Sequence, residues 1–223
     1  MMWTSVPLAW RFRVCLASVA LTLVSACSFE RPATVLPTTY DFGAPPSYSR
    51  SNPAISGTVL VPPILAPAWL DDTGIVYRLL YEDGARPQVY AMSRWAAVPA
   101  SLITDRLRSR FAAASSGVVT PGFSVRSDYT LRIELEDFSQ RFNAPAESRA
   151  LLRARASLFG TVDRQLLAQR VFNIERPAGA NAPSAVKALT EATDAFLEEL
   201  VQWTAQNARA GGEEQKSAKA AKP

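Results

Sequence analysis

Two thiols, Cys15 and Cys27, are the most nucleophilic groups of this 223-residue chain. A thiol can attack a carbonyl, ligate a metal, close a disulfide or accept a lipid, and its surroundings choose among these. Histidine is absent. That removes the commonest general base, the commonest zinc ligand and any Ser-His arrangement. No catalytic residue, metal site or cofactor is therefore expected, and hydrolase readings lack the parts they need. Glu134 and Glu136 are the carboxylates most nearly spaced for acid/base work, two apart in Tyr129-Thr-Leu-Arg-Ile-Glu-Leu-Glu136. They alternate with apolar residues, so they share one face of a strand. A second alternating segment, Glu147 to Phe159, carries Arg153 and Arg155. Cationic neighbours lower both carboxylate pKa values together, whereas an acid/base pair needs them pushed apart. The carboxylates are expected to pair strands, each contact worth a few tenths of a kcal/mol.

Cys27 is different because of what must position it. It follows Leu23-Val24-Ser25-Ala26, an aliphatic residue and then small ones, a pattern that resembles the lipobox. Small residues let an extended chain enter a signal peptidase cleft, and the thiol accepts diacylglycerol as a thioether before cleavage. Upstream, Arg11 and Arg13 make a positive n-region with no acidic residue before Glu30. The run from Val14 to Ala26 is uncharged and free of proline, the length of an h-region and too short to cross roughly 30 Å of hydrocarbon. Residues 1–26 thus read as a lipoprotein signal peptide, and Cys27 as the lipid-attachment residue of an exported protein. Cys15 leaves with the leader, so the mature chain has no disulfide in an oxidising envelope and rests on its core. Ser28, rather than Asp, after Cys27 favours delivery to the periplasmic face of the outer membrane. Two or three acyl chains make such an anchor effectively permanent.

Lys and Arg total 24 against 20 Asp and Glu, a formal +4 that falls by two once Arg11 and Arg13 leave. The remaining basic residues interleave with acids, which excludes a nucleic-acid footprint. After the leader, the chain suits one domain with tails. Residues 27–54 hold Pro32, Pro37, Pro45, Pro46 and Pro53 among Ser, Thr and Asn, and read as a tether reaching up to ~80 Å at ~3.1 Å per residue. Within it Val35 to Phe42 reads as an edge strand, because Pro37 cannot serve a central one.

The folded domain is expected over 55–207. Ile55 to Ile64 is a β-branched run stopped by Pro62-Pro63. Ile75 to Tyr81 and Gln88 to Met92 flank Asp83-Gly84 and read as a hairpin. Ser93 reads as the N-cap of a helix opening at Arg94-Trp95 and reaching Ala114, with Trp95, Val98, Leu102, Ile103, Leu107 and Phe111 inward and Thr104, Asp105, Arg108 and Ser109 outward. Ser115-Ser116-Gly117 closes it. The strands near 129–136 and 149–159 are expected to be antiparallel neighbours, with Gln165 to Ile174 a third strand. Pro177 to Pro183 reads as a loop. From about Ser184 to Asn207 an apolar stripe (Val186, Leu189, Phe196, Leu197, Leu200, Val201) marks a helix docked on the sheet. Gly211-Gly212 is expected to end it, leaving 208–223 as a polar disordered tail. The fold class is α/β of the α+β kind: a single domain with a mixed, largely antiparallel sheet packed by two main helices.

Ala66-Pro67-Ala68-Trp69-Leu70-Asp71, Gly74-Ile75-Val76-Tyr77-Arg78, Arg94-Trp95 and Pro99-Ala100-Ser101-Leu102, in this order, resemble the ABC-type transport auxiliary lipoproteins. The resemblance runs from about Thr39 to Val201. It implies a non-enzymatic partner of an ABC permease, its ATPase and an MCE-domain protein, docking that assembly at the outer membrane for lipid transport and envelope maintenance. A homo-oligomer is left open. The alternative is a periplasmic carrier that binds acyl chains between sheet and helices. On the residues alone, Trp69 and Trp95 are core anchors and Asp71 a turn or cap residue.

Overall fold

The computed structural model describes residues 36–47, 54–122, 125–161 and 164–220; the leader 1–26 and Cys27 lie outside the described residues. Among the described residues the order is β1 (Thr38–Tyr40), β2 (Ile55–Leu60), β3 (Gly74–Leu79), α1 (Leu80–Asp83), β4 (Gln88–Trp95), α2 (Pro99–Ala114), β5 (Ser115–Val119), β6 (Tyr129–Ala144), β7 (Glu147–Gly160), β8 (Leu166–Ala178) and α3 (Ala182–Ala220). This is the expected mixed α/β fold with two main helices.

The three long strands organise everything else. β6 and β7 form an antiparallel hairpin through Pro145-Ala146, and β8 pairs antiparallel with β7. Their alternation sets the register, since a one-residue slip would turn Leu131, Ile133, Leu135, Ala154, Ala156 and Leu158 out to solvent. All six are buried. Glu134 stands opposite Arg155 and Asp137 opposite Arg153, with a bulge at Glu136 between them. The extra residue lets one carboxylate serve both arginines. Glu136 accepts from Arg153 Nε at 2.8 Å and from Arg155 Nη2 at 2.7 Å. The expected pairing is present, shifted by the bulge.

The other edge of β6 is shared by two strands in tandem. β2 pairs parallel with its start through Val59 and Leu60, and β3 pairs parallel with its far part through Tyr77 to Leu79. Leu65 bridges the gap, its N–H donating to Ile133 O at 3.0 Å and its carbonyl accepting from Leu135 N at 2.7 Å. Pro62-Pro63, lacking N–H groups, end β2 and send the chain along β6. β5 lies outside β2, and β4 with β1 outside β3.

Helix α3 packs on the buried face of β7 and β8. Ala150, Ala154 and Ala156 are fully buried, and their small side chains admit the helix closely. Phe172 of β8 meets Phe196 edge-on at 5.3 Å and Trp203 at 5.9 Å, as aromatic quadrupoles prefer. Asn181 Oδ1 caps the helix by accepting from Ser184 N at 2.9 Å.

Several boundaries differ from the sequence reading. Ser93 caps no helix: β4 continues through Trp95, and α2 begins at Pro99, which takes the N1 position where its missing N–H costs nothing. Trp95 is buried from the strand instead. Thr104, expected outward, is buried and takes the N–H of Ile64 at 3.0 Å. Ser115-Ser116-Gly117 do not merely close α2; they begin β5, which pairs parallel with β2. The hairpin β3–β4 turns through the helical residues of α1 rather than a tight Asp-Gly turn. Strand β8 extends to Ala178 and α3 starts at Ala182, so the Pro177 to Pro183 loop shrinks to three residues. Helix α3 also runs to Ala220, past Gly211-Gly212. Glycine costs a helix about 1 kcal/mol relative to alanine and does not forbid it.

Candidate functional site

Three places bring chemistry-bearing residues together, and the first is where the N-terminal segment enters the fold. Thr38 to Tyr40 pair parallel with Ser93 to Trp95, the edge position that Pro37 allows. The next turn is tied by Asp41 Oδ1, which accepts from Gly43 N at 2.7 Å; Gly43 sits at φ +63, the left-handed region that glycine enters freely. Phe42 then drops into the core against Trp95 at 5.4 Å and Phe138 at 6.1 Å.

Arg106 of α2 holds this segment. Its side chain is only 6% exposed, and its Nε and Nη2 donate to Asp194 of α3 at 2.6 and 2.9 Å. Its Nη1 reaches the carbonyls of Phe42 and Gly43, each at 3.2 Å, and the guanidinium lies 5.8 Å from the Phe42 ring centroid. One planar fork thereby joins the entering chain, α2 and α3. Arg110 repeats the link one turn on, donating to both oxygens of Glu198 at 2.7 and 2.9 Å. Sequence reasoning missed Arg106 because its apolar-stripe count ignored buried cations. The signal available was Arg106 and Asp194, each lying next to its helix's apolar stripe.

The second place holds the motif residues. Trp69 is half-buried, packed against the core on one side and carrying the Arg78 guanidinium 4.7 Å over its ring. Arg78 Nη1 donates to the carbonyls of Gly84 and Ala85 at 3.1 and 3.2 Å, closing the α1 turn. Asp71 ends the 3-10 turn Ala68–Leu70, and Asp72 Oδ1 accepts from Gly74 N at 2.7 Å. A side chain at 74 would meet Val89 Cγ1 at 2.8 Å, which explains a glycine there. Beside them Tyr90 donates to Gln140 Oε1 at 2.7 Å, and Gln140 Nε2 donates to Ser148 Oγ at 2.6 Å and Gly179 O at 2.8 Å. Burial, with Tyr77 alongside, pushes the Tyr90 hydroxyl up to about 12. The motifs thus build a corner of packed loops.

The third place is the outer face of β6 and β7, where Glu134, Glu136, Arg153 and Arg155 form the ion-paired row. Asp137, buried on the same face, is held by Ser139 Oγ at 2.6 Å and Arg141 Nη2 at 2.7 Å. Among the described residues no group of three His, Cys, Asp or Glu stands where a metal could bind, and no helix is long and apolar enough to cross a membrane. Cys27, the lipid-attachment residue of the sequence reading, is outside the described residues.

The family model described as "ABC-type transport auxiliary lipoprotein component" matches residues 40–201. No curated protein matches the chain. Among solved structures, protein XCC0632 from Xanthomonas campestris superposes with a TM-score of 0.70 at 22% identity, covering 79% of this chain and 99% of that one. A second crystal structure, of an uncharacterized protein, gives a TM-score of 0.58 at 16% identity over 75% of this chain and 97% of that one. At these identities the two structures establish a shared fold.

Proposed function

The chain belongs to the ABC-type transport auxiliary lipoprotein family, and from that premise we propose that it is the outer-membrane dock of an MCE-type lipid transport system. The family is defined by an auxiliary transport role and not by a reaction. The observation that carries the proposal is the family match over 40–201, which spans every element from the end of β1 to the docked part of α3.

In this reading Cys27 carries the lipid and Ser28 sends the chain to the outer membrane. The domain then presents its surface to an MCE-domain protein that reaches across the periplasm from the ABC permease and ATPase. It acts without catalysis in this reading, and Asp194, Glu198 and Glu136 serve as ion-pair partners of Arg106, Arg110 and the pair Arg153 and Arg155. The docking reading is favoured over an acyl-chain carrier by the filled layer between sheet and helix. Leu158, Phe172, Phe196 and Leu200 are at most 1% exposed there, so the space a carrier needs holds side chains.

The clamped N-terminal segment bears on reach. With Thr38 to Tyr40 paired to β4, the span left between Cys27 and the domain is about ten residues, or ~31 Å at ~3.1 Å per residue. The domain therefore works near the membrane that holds its lipid, where a ring or tube arriving from the other side must end. Crosslinking in intact envelopes, followed by purification of the tagged chain, tests the proposal. Recovery of an MCE-domain protein with its permease and ATPase is expected, and recovery of unrelated partners alone would overturn it.

A further inference from the structure

A concavity of about 380 Å³ opens on the outer face of the sheet where β6 begins and β7 ends. It lies within the ~300–1,000 Å³ range of small-ligand sites. Its walls are Thr130, Arg132, Phe159, Gly160, Thr161 and Arg164. The register explains the grouping: Thr130 stands opposite Phe159, and Arg132, two residues on, shares that face.

The arginines here are unlike those elsewhere on this face. Arg141, Arg149, Arg153 and Arg155 each have a carboxylate partner within 4.0 Å. Arg132 and Arg164 have none among the described residues. The nearest acid along β6, Glu134, is engaged with Arg155 at 3.8 Å. Like charges drawn to one cavity repel, so the arrangement favours an anion between them. The Thr130 hydroxyl adds a neutral donor, while Thr161 Oγ1 stands 3.3 Å from Ser127 Oγ. Beside them is an apolar shelf: Phe159 is half-buried, and its strand partner Leu166 is 52% exposed. Guanidinium pairs with hydroxyls fit a phosphate, and an exposed aliphatic next to them fits the glycerol and acyl root of a phospholipid.

We propose that this concavity is a phospholipid headgroup site, with the phosphate held between Arg132 and Arg164 and the glycerol end lying on Phe159 and Leu166. The ligand class is an anionic phospholipid. Taking the phosphate as lipid rests on the lipid-transport reading and deepens it; the guanidinium pair itself does not depend on that reading. No bond is made or broken, so the site would hold a headgroup for transfer and release it unchanged.

The test uses the full acylated chain in dodecyl maltoside micelles, titrated calorimetrically with dihexanoylphosphatidylglycerol and, separately, with inorganic phosphate. One saturable site per chain is expected for the short-chain lipid. Arg132→Gln with Arg164→Gln should weaken it by about tenfold or more, since two charge-assisted contacts are lost. Arg86→Gln, an exposed arginine away from the concavity, should leave it unchanged. Both replaced arginines are exposed, so an unchanged unfolding midpoint is expected and certifies the comparison; Arg132→Lys, which keeps the charge, should restore part of the affinity. Equal affinity in the double variant and the wild type would overturn the proposal. Inorganic phosphate binding as tightly as the lipid would overturn its lipid half. A chain that binds lipid through these arginines yet recovers no transporter from envelopes would leave this site standing and sink the docking proposal instead.

Discussion

Replacing Arg106 with alanine removes more than one ion pair. The bidentate contact to Asp194 goes, at 2.6 and 2.9 Å, and so do the two 3.2 Å bonds to the carbonyls of Phe42 and Gly43. Breaking a buried pair by deleting one partner costs about 3–5 kcal/mol, because the other is left with its desolvation uncompensated. Asp194 is 28% exposed and recovers some water, which puts the expected loss near the lower end, about 3 kcal/mol. At roughly 2–4 °C per kcal/mol for a domain of this size, the midpoint should fall by about 6–12 °C. The pair variant Arg106→Met with Asp194→Leu strands no charge and should lose far less than the single variant. Denaturant unfolding of the wild type, Arg106→Met, Asp194→Leu and the pair variant gives the coupling. Hydrogen exchange supplies the location: in Arg106→Ala the amides of Thr39 to Gly43 should open locally and exchange well ahead of those of β7, whose loss of protection only follows the fall in global stability. A loss below about 1 kcal/mol, or unchanged exchange in that segment, would refute the claim that Arg106 clamps the entering chain.

Cys27→Ser removes the atom that accepts diacylglycerol, so labelled palmitate should enter the wild-type chain and not the variant; equal labelling of both would reject the lipid-attachment assignment. Phe196→Ala should cost about 3–5 kcal/mol by opening a cavity against Phe172, read as a lower denaturation midpoint. Glu136→Gln, by contrast, touches half-exposed arginines and should cost no more than about 1 kcal/mol. Tyr90 gives a pH test: its hydroxyl is raised from 10.0 to about 12 by burial, so the folded state holds its proton longer than the unfolded one. Its stabilising contribution is whole below pH 10 and is lost as pH rises toward 12; Tyr90→Phe should flatten that alkaline limb, and an unchanged limb would contradict the assignment.

The parts of the fold that could be read in the sequence are those whose pattern is long and local. Tyr129 to Glu136 and Glu147 to Phe159 alternate over enough residues to fix face and partner together. The stripe from Val186 to Val201 did the same for α3. What stayed hidden was set by tertiary context. Ser93-Arg94-Trp95 offers a plausible cap and an apolar start, yet pairing with β1 and β3 holds it as strand, and the helix waits for Pro99. Ser115 to Val119 is short and glycine-containing, and becomes β5 only because β2 lies beside it. Arg106 lies outside the apolar stripe that the spacing shows, and its burial against Phe42 depends on a segment more than sixty residues away. The cavity at Arg132 and Arg164 is equally non-local, since the hairpin register alone brings Thr130 to Phe159.

Whether the chain serves transport is tested most directly by moving lipid. Vesicles bearing the permease, ATPase and MCE-domain protein would be mixed with vesicles anchored to the acylated chain, and labelled phospholipid exchange between the two populations followed with and without ATP. Exchange that needs both ATP and the chain is expected. Exchange at the same rate with the chain left out would contradict the transport role.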